Sequence, residues 1–426
     1  MLSVMCITFA ACMMLSVPIS FSVGLSTLAF ILTKSGAALS IIPVRMVEGL
    51  DSFPLMALPL FILAGELMSK SCTPRLMRFA NLLIGSVPGG LGAAASLGCG
   101  FFGAISGSGV ATTAAIGGIM APEMVKKGYS RAFTATILAG AGVLGTIIPP
   151  SFAMVVYGAS GSVSIGDLFL GGFIPGFICV GGLMLYSVLL GKKRGYYSGQ
   201  VAYAQGEKKR IFVSALLPLG MPLIILGSVL SGLVTPTEAA MLAVIYALAL
   251  EVFVYREMSR EDLMHICVNS AVSSAIIMLI MSVATPFGWI LATEGVPRMF
   301  AEVFLSISSD PAVINLLVVM LLIILGIFME GITIIILLTP ILLPIVTGFG
   351  MDPVHFGIIF MMAICIGGVT PPMAVGLFVS CRLVDIQIED TFPDVLYIVA
   401  IMVAVILLTL FFPQLSLFLP GLFAQG

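Results

Sequence analysis

FFGAISGSGVATTAA (101–115) and GTIIPPS (145–151), with their later counterparts MEGIT (329–333) and GGVTPPM (367–373), decide the fold. Each sets helix-breaking residues inside an apolar run, and freed backbone groups in hydrocarbon are tolerated only where protein, water or a bound ion satisfies them. The surrounding sequence is membrane-like: of 426 residues, 60% are hydrophobic and 9% charged, whereas a soluble domain carries roughly a quarter charged residues. Runs able to cross a bilayer, which takes about 20 residues, occur at 2–33, 168–191, 211–231, 237–255 and 393–412. The expectation is an all-α polytopic membrane protein, with the bilayer as its solvent.

Other classes find little support. The net charge of −2 comes with no basic patch interleaved with aromatics, so no nucleic-acid partner is expected. Eight cysteines are scattered without a CxxC pair and read as small core residues. His265 and His355 stand alone, without ligand spacing. Residues 2–33 lack a basic leader and a small-residue cleavage site, and read as one retained helix.

Sliding the chain by 222 positions pairs Gly109 with Gly331, Pro122 with Pro344, Gly128 with Gly350, Gly145 with Gly367, and Pro149-Pro150 with Pro371-Pro372. A shift of 223 pairs Gly65 with Gly288, Pro74-Arg75 with Pro297-Arg298, and Asp167 with Asp390. The matched breakers imply two copies of one unit: a first repeat over 1–191, a basic loop and connecting span over 192–235, and a second repeat over 236–426.

Lys and Arg collect on the cytoplasmic side of membranes, which places the loop 192–210, with Lys192, Lys193, Arg194, Lys208, Lys209 and Arg210, inside. Tracing outward puts the amino terminus inside, 2–33 as one outward crossing, and a hairpin over 90–121 entering from the cytoplasm. An odd number of crossings then inverts the second repeat. Its hairpin over 312–347 enters from outside, and the carboxyl terminus is periplasmic. Of the 18 basic residues only Lys34 and Arg298 fall clearly outside. Segments 34–50 and 256–270 occupy matching places and read either as interfacial arms or as loops. Inverted repeats with broken helices are the architecture of secondary transporters.

The breaks are where chemistry is expected. Pro149 and Pro150 lack amide hydrogens, which frees carbonyls from Gly145 through Ile147 to Ile148. With the Ser106 and Ser108 hydroxyls they offer an all-oxygen cage suited to sodium. The second repeat offers the same device, with Thr370 supplying a hydroxyl. An anion would sit between the hairpin tips, at the helix starts Ser108-Gly109 and Glu330-Gly331, where N–H groups are free. Arg298 is the candidate partner for a substrate carboxylate, with interfacial snorkelling as its alternative. Glu330 either serves the substrate, caps a helix or pairs with Arg298. Glu238 in TPTEAA (235–240) reads as a structural carboxylate at a helix start.

At these residues the chain resembles the large membrane subunit of the tripartite ATP-independent periplasmic (TRAP) transporters. The likeness spans LDSFPLMALPLFILAGELM (50–68), FFGAISGSGVATTAAIGGIMAPEM (101–124), GYSRAF (128–133), LGTIIPPS (144–151), LVTPTEAA (233–240) and GGVTPPMAVGL (367–377). It implies an elevator transporter in the bacterial inner membrane, coupled to sodium and importing a small organic acid. It also implies a small four-helix membrane partner and a soluble periplasmic substrate-binding protein. The family's sodium motifs carry over to Ser106, Ser108, Gly145 and Pro149, and to Gly326, Gly367, Thr370 and Met373. Many relatives have aspartate near the second tip where this chain has Glu330, which leaves the role of that residue open. Family substrates include four-carbon dicarboxylates and sialic acid, the overall likeness favouring sialic acid. A channel and the permease of an ATP-driven importer are the competing readings. An intramembrane enzyme finds no Ser-His, paired Asp or HExxH arrangement.

Overall fold

The computed structural model describes residues 2–34, 38–196 and 206–423. The centre of the basic loop, 197–205, lies outside the described residues. Among the described residues the regular structure is entirely helical, and eight helices are long and apolar enough to cross a membrane.

The first half opens with α1 (Leu2–Met14), α2 (Ile19–Thr33), α3 (Ile41–Glu48) and α4 (Ala57–Ile84). The first re-entrant hairpin is α5 (Gly90–Ser106) and α6 (Gly109–Lys126), followed by a broken helix, α7 (Arg131–Val143) and α8 (Phe152–Gly161). Then come α9 (Ile165–Arg194) and the connecting α10 (Glu207–Leu230). The second half comprises α11 (Pro236–Ala249, extended by a π-helical turn over Leu250–Tyr255), α12 (Arg260–Thr293) and α13 (Val296–Ile307). The second hairpin is α14 (Pro311–Phe328) and α15 (Gly331–Gly348), its broken helix α16 (Pro353–Gly367) and α17 (Val375–Val384). The chain closes with α18 (Asp394–Phe411) and α19 (Gln414–Phe423).

Local chemistry sets these limits. Thr235 and Glu238 form a reciprocal capping box at the start of α11, the structural role expected of Glu238. Ser259 and Asp262 do the same for α12. The hairpin turn after α5 needs Gly107 at φ 62°, a left-handed conformation that glycine adopts without steric cost.

Contacts at the helix ends fix the inversion. Ser187 Oγ, near the end of α9, donates to Gly89 O at 2.8 Å, so the base of the first hairpin sits at the carboxyl end of α9. A Cβ on Gly161, at the far end of α8, would meet Leu343 and Thr339 of α15. The second hairpin therefore extends toward the amino-terminal end of α9, opposite to the first. The repeat-mates α4 and α12 run antiparallel: Lys70 pairs with Asp262 at 2.7 Å, while Gly49, which precedes α4, abuts Thr285.

Three expectations are corrected. Residues 2–33 are not one helix: the chain turns at Ser16 (φ 58°) and Pro18, and α1 folds back along α2. The ring of Phe9 on α1 lies 6.1 Å from that of Phe287 on α12, tilted at 43°, while α2 runs along α12 to a Lys34–Glu294 pair at 2.7 Å. The expected single helix over 2–33 is thus two shorter ones, Leu2–Met14 and Ile19–Thr33. Segment 256–270 is no separate interfacial arm, because α12 runs unbroken from Arg260. The amphipathic α13 and the short α19 were not expected.

Glycines let the breaks close. A Cβ on Gly103 would lie 2.7 Å from Gly145 Cα, and one on Gly367 would lie 2.2 Å from Gly326 O. Gly103 and Gly326 are mates under the 223 shift, Gly145 and Gly367 under the 222 shift. Each hairpin thus meets its broken helix backbone to backbone. Gly367→Ala is expected to lower unfolding stability by about 1–3 kcal/mol through overpacking. Gly118→Ala, where nothing lies within 4 Å, should be neutral or slightly stabilising, by up to about 1 kcal/mol. Thermal unfolding of the two purified variants checks the contrast.

Candidate functional site

Eight helix ends converge at the centre of the molecule. The amino-terminal ends of α6, α8, α15 and α17 line one cavity of about 120 Å3, through Ser108-Gly109, Phe152, Glu330-Gly331 and Val375. The carboxyl-terminal ends of α7, α14 and α16 line it too, through Val143, Gly326 and Gly367, and that of α5 stops at the adjoining first tip, so helix starts and helix ends are presented side by side. The two breaks touch across the repeat axis, where Cys365 Sγ donates to Val143 O at 3.2 Å. These two residues are themselves mates at 222. Ala374, which opens α17, sits at φ 28°, a conformation residues with side chains rarely adopt.

At the first tip, Ser108 accepts a hydrogen bond from Ala111 N at 3.3 Å and so caps α6. Ser106 Oγ lies 2.9 Å from Thr112 Oγ1, and a Cβ on Gly145 would come within 2.6 Å of that Thr112 oxygen and 2.9 Å of Ser108 O. Ser106, Ser108, Thr112 and Gly145 therefore form one oxygen-rich knot. Ile147 and Pro149 are not in it. The Ile147 carbonyl faces Gly172 of α9, as does the Pro149 ring, both on the side away from the cavity. The freed carbonyls also find partners inside the protein: Leu144 O accepts from Ile147 N and Ile148 N, and Thr146 O from Ser151 Oγ at 2.6 Å.

At the second tip, Glu330 accepts from Thr333 N at 3.1 Å and caps α15, which resolves one of the alternatives left open for it. It also lines the cavity, with Gly326, Gly331, Gly367 and Met373. Met373 N donates to Ile327 O at 3.3 Å, tying the unwound segment to the hairpin. Thr370 stands one turn back, its hydroxyl donating to Ile366 O at 2.7 Å, and it is not among the cavity residues.

Arg298 is not brought to the site. It lies on α13, 86% exposed along its side chain, and pairs with Glu302 at 3.1 Å one helical turn away. Hydropathy matching could not separate this amphipathic segment from a span end. Sequence reasoning missed Thr112, Thr146 and Cys365. The repeat offset, which pairs Cys365 with Val143, carried a signal for the last.

Two inverted units, each a re-entrant hairpin meeting an unwound helix at a shared central cavity, define a polytopic membrane protein of secondary-transporter architecture. Comparison with known proteins places it further. The family model for the DctM component of the tripartite ATP-independent periplasmic transporter matches residues 6–415. The chain belongs to that family, and it is a TRAP transporter large permease rather than an enzyme. The isethionate TRAP transporter permease protein of Oleidesulfovibrio alaskensis is 42% identical over 97% of this chain, which spans 65% of that relative's length. The sialic acid TRAP transporter large permease protein of Vibrio cholerae is 37% identical, with 95% of each chain covered. The C4-dicarboxylate large permease of Rhodobacter capsulatus is 32% identical, with 97% of each covered. In fold, the chain is similar to the YdaH transporter of Alcanivorax borkumensis, at a TM-score of 0.60, 17% identity and 90% coverage of each chain.

Removing either cap exposes an N–H at a helix start, so Ser108→Ala and Glu330→Ala should each lose about 0.5–2 kcal/mol of stability. Arg298→Ala, on an exposed pair, should change it by less than about 0.5 kcal/mol. Detergent-solubilised unfolding midpoints test the difference.

Proposed function

We propose that this chain imports a small organic anion across the bacterial inner membrane, driven by sodium, as the transport subunit of a TRAP system. The convergence of four helix amino termini on one cavity carries the reading. Each contributes roughly half a positive charge, so an anion is held there without a basic side chain. The opposing carboxyl-terminal ends suit a weakly hydrated cation. Sodium would sit in the first repeat among Ser106, Ser108, Thr112 and the backbone at Gly145. In the second it would sit among Gly326, Gly367, Thr370 and Met373. The ion is cargo, co-transported with the acid.

An elevator motion accounts for the division of the molecule. The hairpins and broken helices slide as one body past a scaffold that includes α4 and α12. The repeat-mates Gly65 and Gly288 are the points of contact, Gly65 against Ser106 and Gly288 against Pro340. The family description implies a small membrane subunit and a periplasmic binding protein that delivers the acid. The relatives' names point to isethionate, sialic acid and C4-dicarboxylates as the substrate range to test. The basic residues Lys192, Lys193, Arg194, Lys208, Lys209 and Arg210 face the cytoplasm, and the carboxyl-terminal α19, packed by Ser416 against Gly171 near the start of α9, lies toward the periplasm.

Reconstitution of the chain with its two partners into ATP-free liposomes should give uptake of such an acid that follows an inward sodium gradient and saturates. Ser106→Ala should raise the sodium concentration for half-maximal uptake several-fold, about 1 kcal/mol for one lost ligand contact. Uptake indifferent to sodium, in both proteins, would contradict the reading.

A further inference from the structure

A second, larger space adjoins the central cavity. A cleft of about 470 Å3 separates the first hairpin from the scaffold, lined by Glu66 and Ser69 of α4, Ser106 and Ser108 of the tip, and Ser273 of α12. Ser108 and Phe152 line both spaces and form the partition between them. Anything that leaves the central cavity past the first tip therefore passes Glu66.

The charge of this route is one-sided. Among the described residues the central cavity is lined by one ionisable carboxylate, Glu330, and the cleft by one, Glu66, with no Lys, Arg or His on either. Glu66 has no ion-pair partner among the described residues, and the basic side chains nearest it on α4 and α12 are committed elsewhere: Lys70 pairs with Asp262, and Arg75 with Glu257. The hydroxyls of Ser69 and Ser106 are likewise occupied, by Glu66 O and by Thr112.

We infer that this route is a charge filter: it passes singly charged acids whose remaining groups are neutral and polar, and it disfavours dianions, with Glu66 as the discriminating side chain on the scaffold. The inference rests on the proposed anion transport and narrows its substrate class. Helix ends can hold one acid group. A second acid group finds a carboxylate in either direction, at close range and with no basic side chain on either lining to offset the repulsion. A neutral hydroxyl or amide in its place meets acceptors instead. Glu66, beyond the Ser108–Phe152 partition, repels a second charge in the cavity and in the cleft alike without lining the central site, so it is a specificity residue.

The test has two arms. In the first, full-length protein carrying Ser108→Cys and Cys365→Ala is reacted with thiol-specific reagents of similar size carrying one and two negative charges, and modification at position 108 is followed by peptide mass. The singly charged reagent should react roughly tenfold faster than the doubly charged one, and adding Glu66→Gln should reduce that ratio several-fold. In the second, the wild-type protein in sodium is titrated with isethionate, N-acetylneuraminate, succinate and fumarate, read by thermal stabilisation. The monoanions should act at roughly tenfold lower concentration than the dianions, and Glu66→Gln should narrow the gap. Equal reagent rates, or a ratio indifferent to Glu66→Gln, would overturn the filter whatever the substrate is. Tighter binding of succinate and fumarate would also overturn it while leaving anion transport intact. Loss of all sodium-dependent binding would sink the transport reading and the filter together.

Discussion

Backbone groups at membrane depth must be satisfied, and the whole arrangement follows from how this chain meets that demand at its helix breaks. Unwinding a helix in hydrocarbon is costly unless another backbone comes close enough to share the exposed dipoles. Gly103 against Gly145 and Gly326 against Gly367 permit that approach, since a single methyl at Gly367 would collide with the Gly326 carbonyl. The same closeness aligns Val143 and Cys365 across the repeat axis. The hairpins and broken helices are therefore pinned to one another by main chain, which fixes where their ends point more firmly than side-chain packing would.

From that pinning comes the electrostatic character of the centre. Helix amino termini supply diffuse positive potential, carboxyl termini supply carbonyls, and among the described residues the one formal charge on the cavity wall is Glu330. Glu330 is there first as a cap, because α15 needs an acceptor for Thr333 N. Formal charge elsewhere serves the frame. Lys70 and Arg75 on α4 pair with Asp262 and Glu257 around the start of α12, and the Arg75 guanidinium holds the Glu257 carboxyl below the usual carboxylate range. Arg194 makes a bidentate pair with Asp394, tying α9 to α18 at 2.6 and 2.9 Å.

Much of this was legible in the chain itself. Composition required a membrane protein. Paired prolines and glycines at constant offsets marked the duplicated units, and the breaks at 106–109 and 367–372 fell where the helices stop. The tip residues Ser106, Ser108, Glu330 and Gly331 were found because a break inside an apolar run has few structural reasons to exist. The Thr235–Glu238 box was readable because capping is local and its partners are three residues apart.

What needed the tertiary structure was everything that depends on direction. Proline dictates that carbonyls are freed but not where they aim, and packing against Gly172 turned Ile147 away from the cavity while Ser151 took Thr146 O. Hydropathy counts apolar residues but not a reversal within them, so α1 and α2 passed for one helix until Ser16 and Pro18 were seen to fold it back. Charge sign suggested Arg298 for an anion, yet its place on an amphipathic surface helix was decided by how α13 packs. Local sequence thus determined which residues break, cap and repeat, because those are short-range properties of the backbone. Only the fold decided which of them meet, because a meeting between residues 222 positions apart is set by the packing of whole helices.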